Sequence, residues 1–180
     1  MSISVDITTN RAQKNWSGRT QVARVLWALT LPLFRLSPRP LWQWRVWLLR
    51  RFGAVIGTGV HIYPTVKITM PWHLTIGDQT AVGDRATLYA LGRIDIGARA
   101  TISQNAHLCA GTHDRRDPAR PLVKAPIQMG SDAWVCADAF VGPGVTIGAG
   151  AILGARSVAM KTLPADHIGV GNPMQIREAT

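Results

Sequence analysis

An aliphatic side chain recurs at every sixth position through most of the C-terminal two-thirds of the chain. The next residue is often glycine, and a small or β-branched residue stands four positions after the aliphatic one. This hexapeptide period is the sequence signature of a parallel β-helix, in which each repeat forms one side of a triangular coil. The recurring residues are Ile56, Ile62, Ile68, Ile76, Val82, Leu88, Ile96, Ile102, Leu108, Met129, Val135, Val141, Ile147, Leu153 and Ala159.

We expect each aliphatic side chain to point into the coil and each small residue to occupy a corner, where a large side chain would not fit. One turn cannot bury its own core, so stacked turns must share one. An amphipathic helix would show apolar residues about 3.6 positions apart, and a β-sandwich would show turn signals about every 8–12 residues. Because neither pattern is present, the sequence predicts an all-β repeat fold, a parallel β-helix.

The rest of the chain differs from the coil in composition. Two helices are predicted before it, and the second ends at Gly53. A segment rich in Arg, Asp and Pro interrupts the repeat and should project as a loop, because it cannot continue a strand. The predicted units are an α-helical N-terminal segment 1–53 (irregular over 1–19, helical near 22–33 and 41–52), the coil 54–168 with insertions at Pro71-Trp72 and near Ile94, the loop 114–126 and the tail 169–180.

The N-terminal segment is strongly basic and rich in tryptophan. Residues 1–51 carry nine Lys or Arg and a single acidic residue, Asp6, which accounts for most of the net charge of +10. Indole rings and arginines both find partners in the headgroup region of an anionic membrane, so residues 1–52 are predicted to make peripheral membrane contact. An equally weighted alternative is that the tryptophans pack the helices over the open end of the coil. The five are Trp16, Trp27, Trp42, Trp44 and Trp47.

The length of the apolar runs and the polarity of the N-terminus indicate where the protein is located. The longest apolar run, residues 25–34, is half of the about 20 residues that a membrane span needs. The first twenty residues are polar and show no cleavable signal pattern. We therefore predict a cytoplasmic protein, with the inner face of the cytoplasmic membrane as its alternative location.

Nucleic acid is not a predicted partner, because no recognition motif accompanies the charge. Cys109 and Cys136 are read as small apolar residues in a reducing compartment.

His113 is the strongest candidate for chemistry among the five histidines. It closes the repeat 108–113 directly before the projecting loop, so it is expected to stand on rigid structure beside a mobile segment. A catalytic group is best held in such a place. His107 lies one repeat earlier in the same phase, and His61, His73 and His167 are read as ordinary polar side chains.

Several short motifs occur along the coil and its flanks. They are Ile102-Ser103-Gln104, residues 108–114, residues 42–57, Tyr63-Pro64, Trp134, residues 141–145 and Gly171-Asn172-Pro173. Together they resemble the colanic-acid-type O-acetyltransferases, one branch of the hexapeptide-repeat acyltransferases. The likeness covers residues 20–177 and implies a left-handed β-helix, a homotrimer with active sites between neighbouring coils, and acetyl-CoA bound in the groove. In the related galactoside and maltose acetyltransferases, the histidine at the place of His113 is the general base.

The same resemblance implies a coenzyme site. Trp134 would wall the pantetheine channel, and Arg177 would lie near the nucleotide phosphates. The tail has Met174-Gln175 where the family commonly has Ala-Lys, which shifts the expected phosphate contacts to Arg156, Lys161 and Arg177. The other positions that match the lining of the coenzyme site are Ala137, Ala155, Met160 and Lys161.

The expected reaction is direct acetyl transfer to an alcohol. Histidine, with an ordinary pKa of about 6.5, suits removal of the hydroxyl proton at neutral pH. Asp114 is one candidate to orient Nδ1 of His113, and a backbone carbonyl or a residue of another chain is the alternative. Backbone N–H groups should meet the oxyanion. Cys109 is not expected to act as a nucleophile, because nothing in its spacing activates it.

The expected acceptor is a sugar hydroxyl on an exopolysaccharide unit or its lipid-linked precursor, with a nucleotide sugar, an amino sugar or serine as alternatives. Loop residues 114–124 of one chain, with Tyr89 and Asn105 of another, are expected to bind it. A zinc hydratase of the gamma carbonic anhydrase type, which needs three converging histidines, is the less favoured alternative, because no histidine with that family's close spacing follows His107 and His113. No metal is therefore predicted. A scaffolding module would lack a histidine beside a projecting loop.

Overall fold

The computed structural model describes residues 5–178, in which three helices precede a parallel β-solenoid. The predicted all-β repeat fold with an α-helical N-terminal segment is confirmed. The elements are α1 (Ile7–Ala12), α2 (Gly18–Arg35), α3 (Trp42–Arg51), β1 (Val55–Ile56), β2 (His61–Ile62), β3 (Lys67–Ile68), a 3-10 turn (Pro71–His73), β4 (Leu74–Ile76), β5 (Ala81–Val82), β6 (Thr87–Tyr89), β7 (Ile94–Ile96), β8 (Thr101–Ile102), β9 (His107–Cys109), β10 (Thr112–His113), β11 (Leu122–Val123), β12 (Ile127–Met129), β13 (Trp134–Val135), β14 (Phe140–Val141), β15 (Thr146–Ile147), β16 (Ile152–Leu153), β17 (Val158–Ala159), β18 (His167–Val170) and β19 (Gln175–Glu178).

The solenoid has three sides, and each full turn adds one strand to each side. Side 1 contains β1, β4, β7, β12 and β15, side 2 contains β2, β5, β8, β13, β16 and β18, and side 3 contains β3, β6, β9, β14 and β17. Ile56 pairs with Ile76, twenty residues on, whereas Met129 pairs with Ile147, eighteen residues on. The longer early turns are the insertions that the sequence indicated near Pro71 and Ile94.

Hydrophobic burial follows the hexapeptide period. The aliphatic positions are buried along the axis, and the small corner residues are buried as well, as Ala86, Ala106 and Ala151 illustrate. Glycine follows the aliphatic residue because successive turns stack closely there. A Cβ atom on Gly97 would lie 2.4 Å from the backbone nitrogen of Ser131 in the next turn, which no real Cβ contact tolerates.

Helices α2 and α3 cover the N-terminal end of the solenoid. Trp27, Phe34 and Leu49 are buried against the aliphatic residues of the first turn. Trp42 stacks on His61, with ring centroids 4.8 Å apart, so part of the tryptophan content packs the helices onto the coil. Trp44 and Trp47, in contrast, are exposed.

Side chains of this helical cover complete the hydrogen bonding of the first turn. In later turns the carbonyl group of each core aliphatic residue accepts a hydrogen bond from the preceding turn. The first turn has no preceding turn, and side-chain donors take its place on all three sides. Arg50 Nη2 donates to the carbonyl of Ile56 at 2.6 Å, Arg45 Nε to that of Ile62 at 2.6 Å, and Trp27 Nε1 to that of Ile68 at 2.8 Å.

Arg45 is a structural residue although the sequence counts it in the basic segment. Its side chain is fully buried, and it also donates to Ser37 Oγ at 2.8 Å and to the carbonyls of Pro38 at 2.9 Å and Arg39 at 2.6 Å. These oxygens replace water around the guanidinium group. The basic character of the segment is therefore only partly available to a partner.

The structure corrects two predictions about local structure. Residues 7–12, expected to be irregular, form α1, whose cap residue Asp6 accepts from the N–H of Thr9 at 2.9 Å. The repeat 108–113 leaves the coil after its third residue, Ala110. Strand β10 instead pairs antiparallel with β11, so the returning loop satisfies its backbone groups. None of the described helices is long and apolar enough to cross a membrane.

Candidate active site

His113 lies on the hairpin of β10 and β11, which projects from the corner between sides 3 and 1. Its ring is exposed, and Nδ1 lies 2.7 Å from the carbonyl oxygen of Arg120. A carbonyl oxygen can only accept, so Nδ1 carries the proton in the neutral ring. Nε2 then keeps its lone pair, which is the state that a general base requires.

Asp114 shapes the loop and does not hold the imidazole. Its Oδ1 accepts from the backbone N–H of Arg116 at 2.9 Å, and its own N–H donates to the carbonyl of Pro121 at 3.0 Å. Of the candidates for orienting His113, it is a backbone carbonyl, that of Arg120, that contacts Nδ1 in the structure. A contact between the candidate Asp114 and the ring is absent, which agrees with the rule that neighbouring side chains on an extended chain point to opposite faces.

The N-terminal segment docks on this loop. Asn10 Nδ2 donates to the carbonyls of Ala119 at 2.7 Å and Arg120 at 3.0 Å. The Arg120 carbonyl thus serves Asn10 and His113 together. Farther along, Lys124 Nζ donates to the carbonyl of Asn15 at 2.9 Å and lies 3.8 Å from the centroid of Trp16. Sequence reasoning missed Asn10, because no spacing rule relates residues more than a hundred positions apart.

Side 3 carries an aromatic cluster around His107. The ring centroid of His107 lies 6.3 Å from that of Tyr89 and 5.2 Å from that of Phe140. Its Nε2 is buried and has no hydrogen-bond partner among residues 5–178. Burial, and to a lesser extent the charge of Lys67, lowers the pKa of His107. Burial therefore favours the neutral form of the His107 ring. Cys109 is half-buried beside the cluster, and its thiol donates a hydrogen bond to the carbonyl of Gly111 at 3.3 Å.

The predicted coenzyme residues lie on several surfaces of the solenoid. Trp134 is exposed on side 2, where its indole N–H donates to Ser103 Oγ at 2.8 Å. Ala137 and Ala155 occupy the corner between sides 2 and 3 in successive turns, and the N–H of Arg156 donates to the carbonyl of Ala137 at 2.9 Å. Lys161, near Met160 and Met174, lines a groove at the far edge of side 3, and Arg177 pairs with Ile168 on the tail hairpin.

The predicted acceptor residues lie closer to one another. Tyr89 is exposed on side 3, and Asn105 is exposed at the corner between sides 2 and 3, with a left-handed φ of 58°. A single chain therefore brings Tyr89 onto the same side as His107. It does not bring His113 and Trp134 into one cleft. His113 lies at the corner between sides 3 and 1, whereas Trp134 lies on side 2. A site that uses both needs two copies of the chain.

Potential metal ligands are dispersed. Among the residues that the structure describes, no group of three or more His, Cys, Asp or Glu side chains could hold a metal ion. His107 lies in the aromatic cluster, whereas His113 lies on the hairpin.

The chain is similar to known acetyltransferases in sequence and in fold, although no protein-family model matches it. It is 45% identical over 175 residues, 96% of each protein, to WcaF of Escherichia coli (strain K12), which is named for acetyl transfer in colanic acid biosynthesis. The fold matches a galactoside acetyltransferase in complex with coenzyme A, with a TM-score of 0.84, 22% identity, and coverage of 98% of this chain and 92% of that one. It also matches the hexapeptide-repeat acetyltransferase VCA0836 of Vibrio cholerae O1 biovar eltor complexed with acetyl-CoA, with a TM-score of 0.83, 23% identity, and coverage of 93% and 92%.

The relationship to WcaF spans nearly the whole length of both proteins. The solved structures share the left-handed β-helix that the resemblance implied. The chain therefore belongs to the hexapeptide-repeat acetyltransferases, in the colanic acid biosynthesis branch, and it is an enzyme that uses acetyl-CoA as its acetyl donor.

Proposed function

We propose that the enzyme transfers the acetyl group to a sugar hydroxyl of an exopolysaccharide unit or its lipid-linked precursor, with His113 as general base. The observation that carries this proposal is the bond between Nδ1 of His113 and the Arg120 carbonyl, 2.7 Å long, which leaves Nε2 free to accept a proton. An alcohol has a pKa far above neutrality, so it attacks a thioester effectively only when a base takes its proton as the new bond forms.

The proton follows a closed path in this proposal. Nε2 of His113 takes it from the hydroxyl while the oxygen bonds to the acetyl carbon. Backbone N–H groups stabilise the negative charge that develops on the carbonyl oxygen. As the carbon–sulfur bond breaks, His113 returns the proton to the departing thiolate. The products are an acetyl ester and the free thiol, and the imidazole is again neutral.

The coenzyme groups of this chain fit an anionic, partly apolar donor. Arg156, Lys161 and Arg177 are exposed, and none of them forms an ion pair with another described residue. They are therefore available to the phosphates, for which Arg and Lys are suitable partners. The exposed indole of Trp134 offers an apolar wall for the pantetheine arm.

The proposal includes a homotrimer, because His113 and Trp134 lie on different faces of one chain. In the proposed cyclic assembly, side 2 of one copy lies near the hairpin of its neighbour, and the symmetry repeats that cleft three times. Tyr89 and Asn105 of one copy and residues 114–124 of another would bind the acceptor. The proposal also places the enzyme in the cytoplasm, in peripheral contact with the inner face of the membrane.

The test is thiol release from acetyl-CoA in the presence of a panel of sugars, nucleotide sugars and lipid-linked sugars, with and without membranes. We expect release that depends on a sugar acceptor and yields an O-acetyl ester. If serine or an amine supported thiol release and none of the sugars did, the carbohydrate assignment would be wrong. The absence of release with every sugar would have the same effect.

A further inference from the structure

Helix α2 presents an apolar stripe to solvent. Val22, Leu26, Leu29, Leu33 and Leu36 follow one another at helical spacing, and each is more than half exposed, with Leu29 at 72% and Leu36 at 83%. The opposite face of the same helix is already buried against the solenoid. The stripe is therefore not needed for the cover and remains without a partner among residues 5–178.

Helix α3 extends this stripe into a continuous face. Trp44 and Trp47 stack, with ring centroids 5.1 Å apart and planes at 20°, and both are exposed. The indole N–H of Trp44 donates to the carbonyl of Leu33 at 3.1 Å, which fixes the two helices to each other. Between them lies a groove lined by Leu33, Leu36 and Leu41. We call these exposed residues of α2 and α3, together with Leu41, the apolar face.

Positive charge surrounds the apolar face. Arg19 precedes Val22 by one helical turn, Arg35 adjoins Leu36, and Arg51 follows Trp47 by one turn, and all three arginines are exposed. The acidic residue Asp6 is occupied as the cap of α1. A second copy of this face would bring the same arginines together, and such like-charge contacts are unfavourable. An anionic lipid surface supplies both apolar depth and negative charge.

We propose that the apolar face binds the surface of an anionic lipid bilayer, with its leucines and indoles in the boundary between headgroups and acyl chains. Indole rings favour that depth, and the arginines reach the phosphates. The consequence for the substrate rests on the proposed sugar acetylation. An enzyme held on the bilayer meets acceptors that are themselves anchored there, which selects the lipid-linked precursor over a soluble sugar.

The test is sedimentation of the full-length protein with vesicles of phosphatidylcholine, alone or mixed with phosphatidylglycerol. We expect binding only to the anionic vesicles and less binding at high salt. The double variant Leu29→Glu/Leu33→Glu should bind at least about tenfold more weakly, because two exposed leucines lose their apolar partner. Arg35→Gln should weaken binding roughly fivefold. Ile176→Glu, on the tail hairpin at the other end of the solenoid, is the matched control and should bind as wild type.

Wild-type binding by the double variant, or equal binding to both kinds of vesicle, would overturn the proposal. So would a double variant that changes the number of copies in solution and leaves vesicle binding intact, because the face would then join copies of the chain. The assay contains neither acetyl-CoA nor a sugar. Failure of the acetyl-transfer assay therefore leaves this result standing, and failure here leaves the proposed transfer standing.

Discussion

At the scale of single residues, the state of His113 depends on one backbone carbonyl. The Arg120 oxygen lies on the return of the loop, and it fixes both the tautomer and the direction of the ring. Asn10 donates to the same oxygen from the other end of the chain. The proposed base is therefore positioned by two segments that the sequence places far apart.

Replacing His113 should abolish most of the activity. We expect His113→Ala to lower kcat by a factor on the order of 10²–10⁴, the usual share of a general base, with little change in acetyl-CoA affinity. The measurement is thiol release under saturating donor, together with titration of acetyl-CoA binding. His61→Ala, which removes an exposed histidine on the covered end of the solenoid, should keep wild-type kcat. Full activity in His113→Ala would refute the assignment.

Asn10 should affect catalysis through position alone. Asn10→Ala removes one of two donors from the Arg120 carbonyl, so we expect a roughly tenfold lower kcat from a less well held base. The KM for acetyl-CoA and the melting temperature should stay near their wild-type values, since the residue lies on a short surface helix. Asn15→Ala is the matched control, because Asn15 contacts the loop through its backbone carbonyl. Equal kcat in the two variants would show that Asn10 has no positioning role.

His107 should make stability depend on pH. Because its pKa is lowered in the folded state, the unfolded chain binds more protons between the two pKa values. The stabilisation that neutral His107 contributes is fully present above about pH 6.5, the ordinary pKa of histidine. It is lost as the pH falls through the lower pKa that His107 has in the folded protein. Melting temperatures should therefore fall less on acidification in His107→Leu than in wild type, whereas His167→Leu should follow wild type. Identical slopes in wild type and His107→Leu would contradict this prediction.

At the scale of elements, the cover of α2 and α3 is held by donors to the first turn. Trp27→Phe removes the N–H that satisfies the carbonyl of Ile68 and leaves that buried oxygen without its donor. We expect a loss of about 1–3 kcal/mol in the free energy of unfolding, measured by urea denaturation. Trp47→Phe, the same change at an exposed site, should alter stability by less than about 0.5 kcal/mol. Equal losses in both variants would show that the hydrogen bond is not the cause.

The coil could be predicted from the sequence because its physics is local. Each repeat needs an inward aliphatic side chain and room for the next turn, and residues such as Ile102 and Gly97 report both requirements directly. The insertions were also visible, since they displace the period by two. The same reasoning singled out His113, because a break in the period marks the place where the chain leaves the coil.

The remaining features depend on contacts between distant residues. Strand β10 continues the period through Thr112, but its backbone partner is Val123, on the return of the loop. Helix α1 is short and is held by a loop more than a hundred residues away. Arg45 reads as surface charge because the sequence does not show the carbonyls that surround it. The residues proposed for the coenzyme and for the base lie on different faces because of the way the chain winds, and their spacing in the sequence does not show this.

At the scale of the whole molecule, the proposed trimer can be tested by complementation. His113→Ala and Trp134→Glu should each be inactive or nearly so as pure trimers. In mixed trimers, some clefts combine the intact base of one copy with the intact coenzyme wall of its neighbour. When the two variants are unfolded and refolded together, random mixing of their chains should restore about a quarter of wild-type activity. Mixing without refolding is the control. No recovery after refolding would show that both residues serve the same chain's site.

Both ends of the solenoid are closed, and this limits how the molecules can grow into larger assemblies. A stack of parallel strands is a template for its own elongation, since each terminal rung offers ready hydrogen-bond groups to a further rung. Here Arg45, Arg50 and Trp27 occupy the carbonyls of the first rung, and the antiparallel strand β19 pairs with β18, the last strand of side 2. Direct stacking of another copy on the first rung is thereby hindered, and the long flanks remain as the surfaces through which copies can meet.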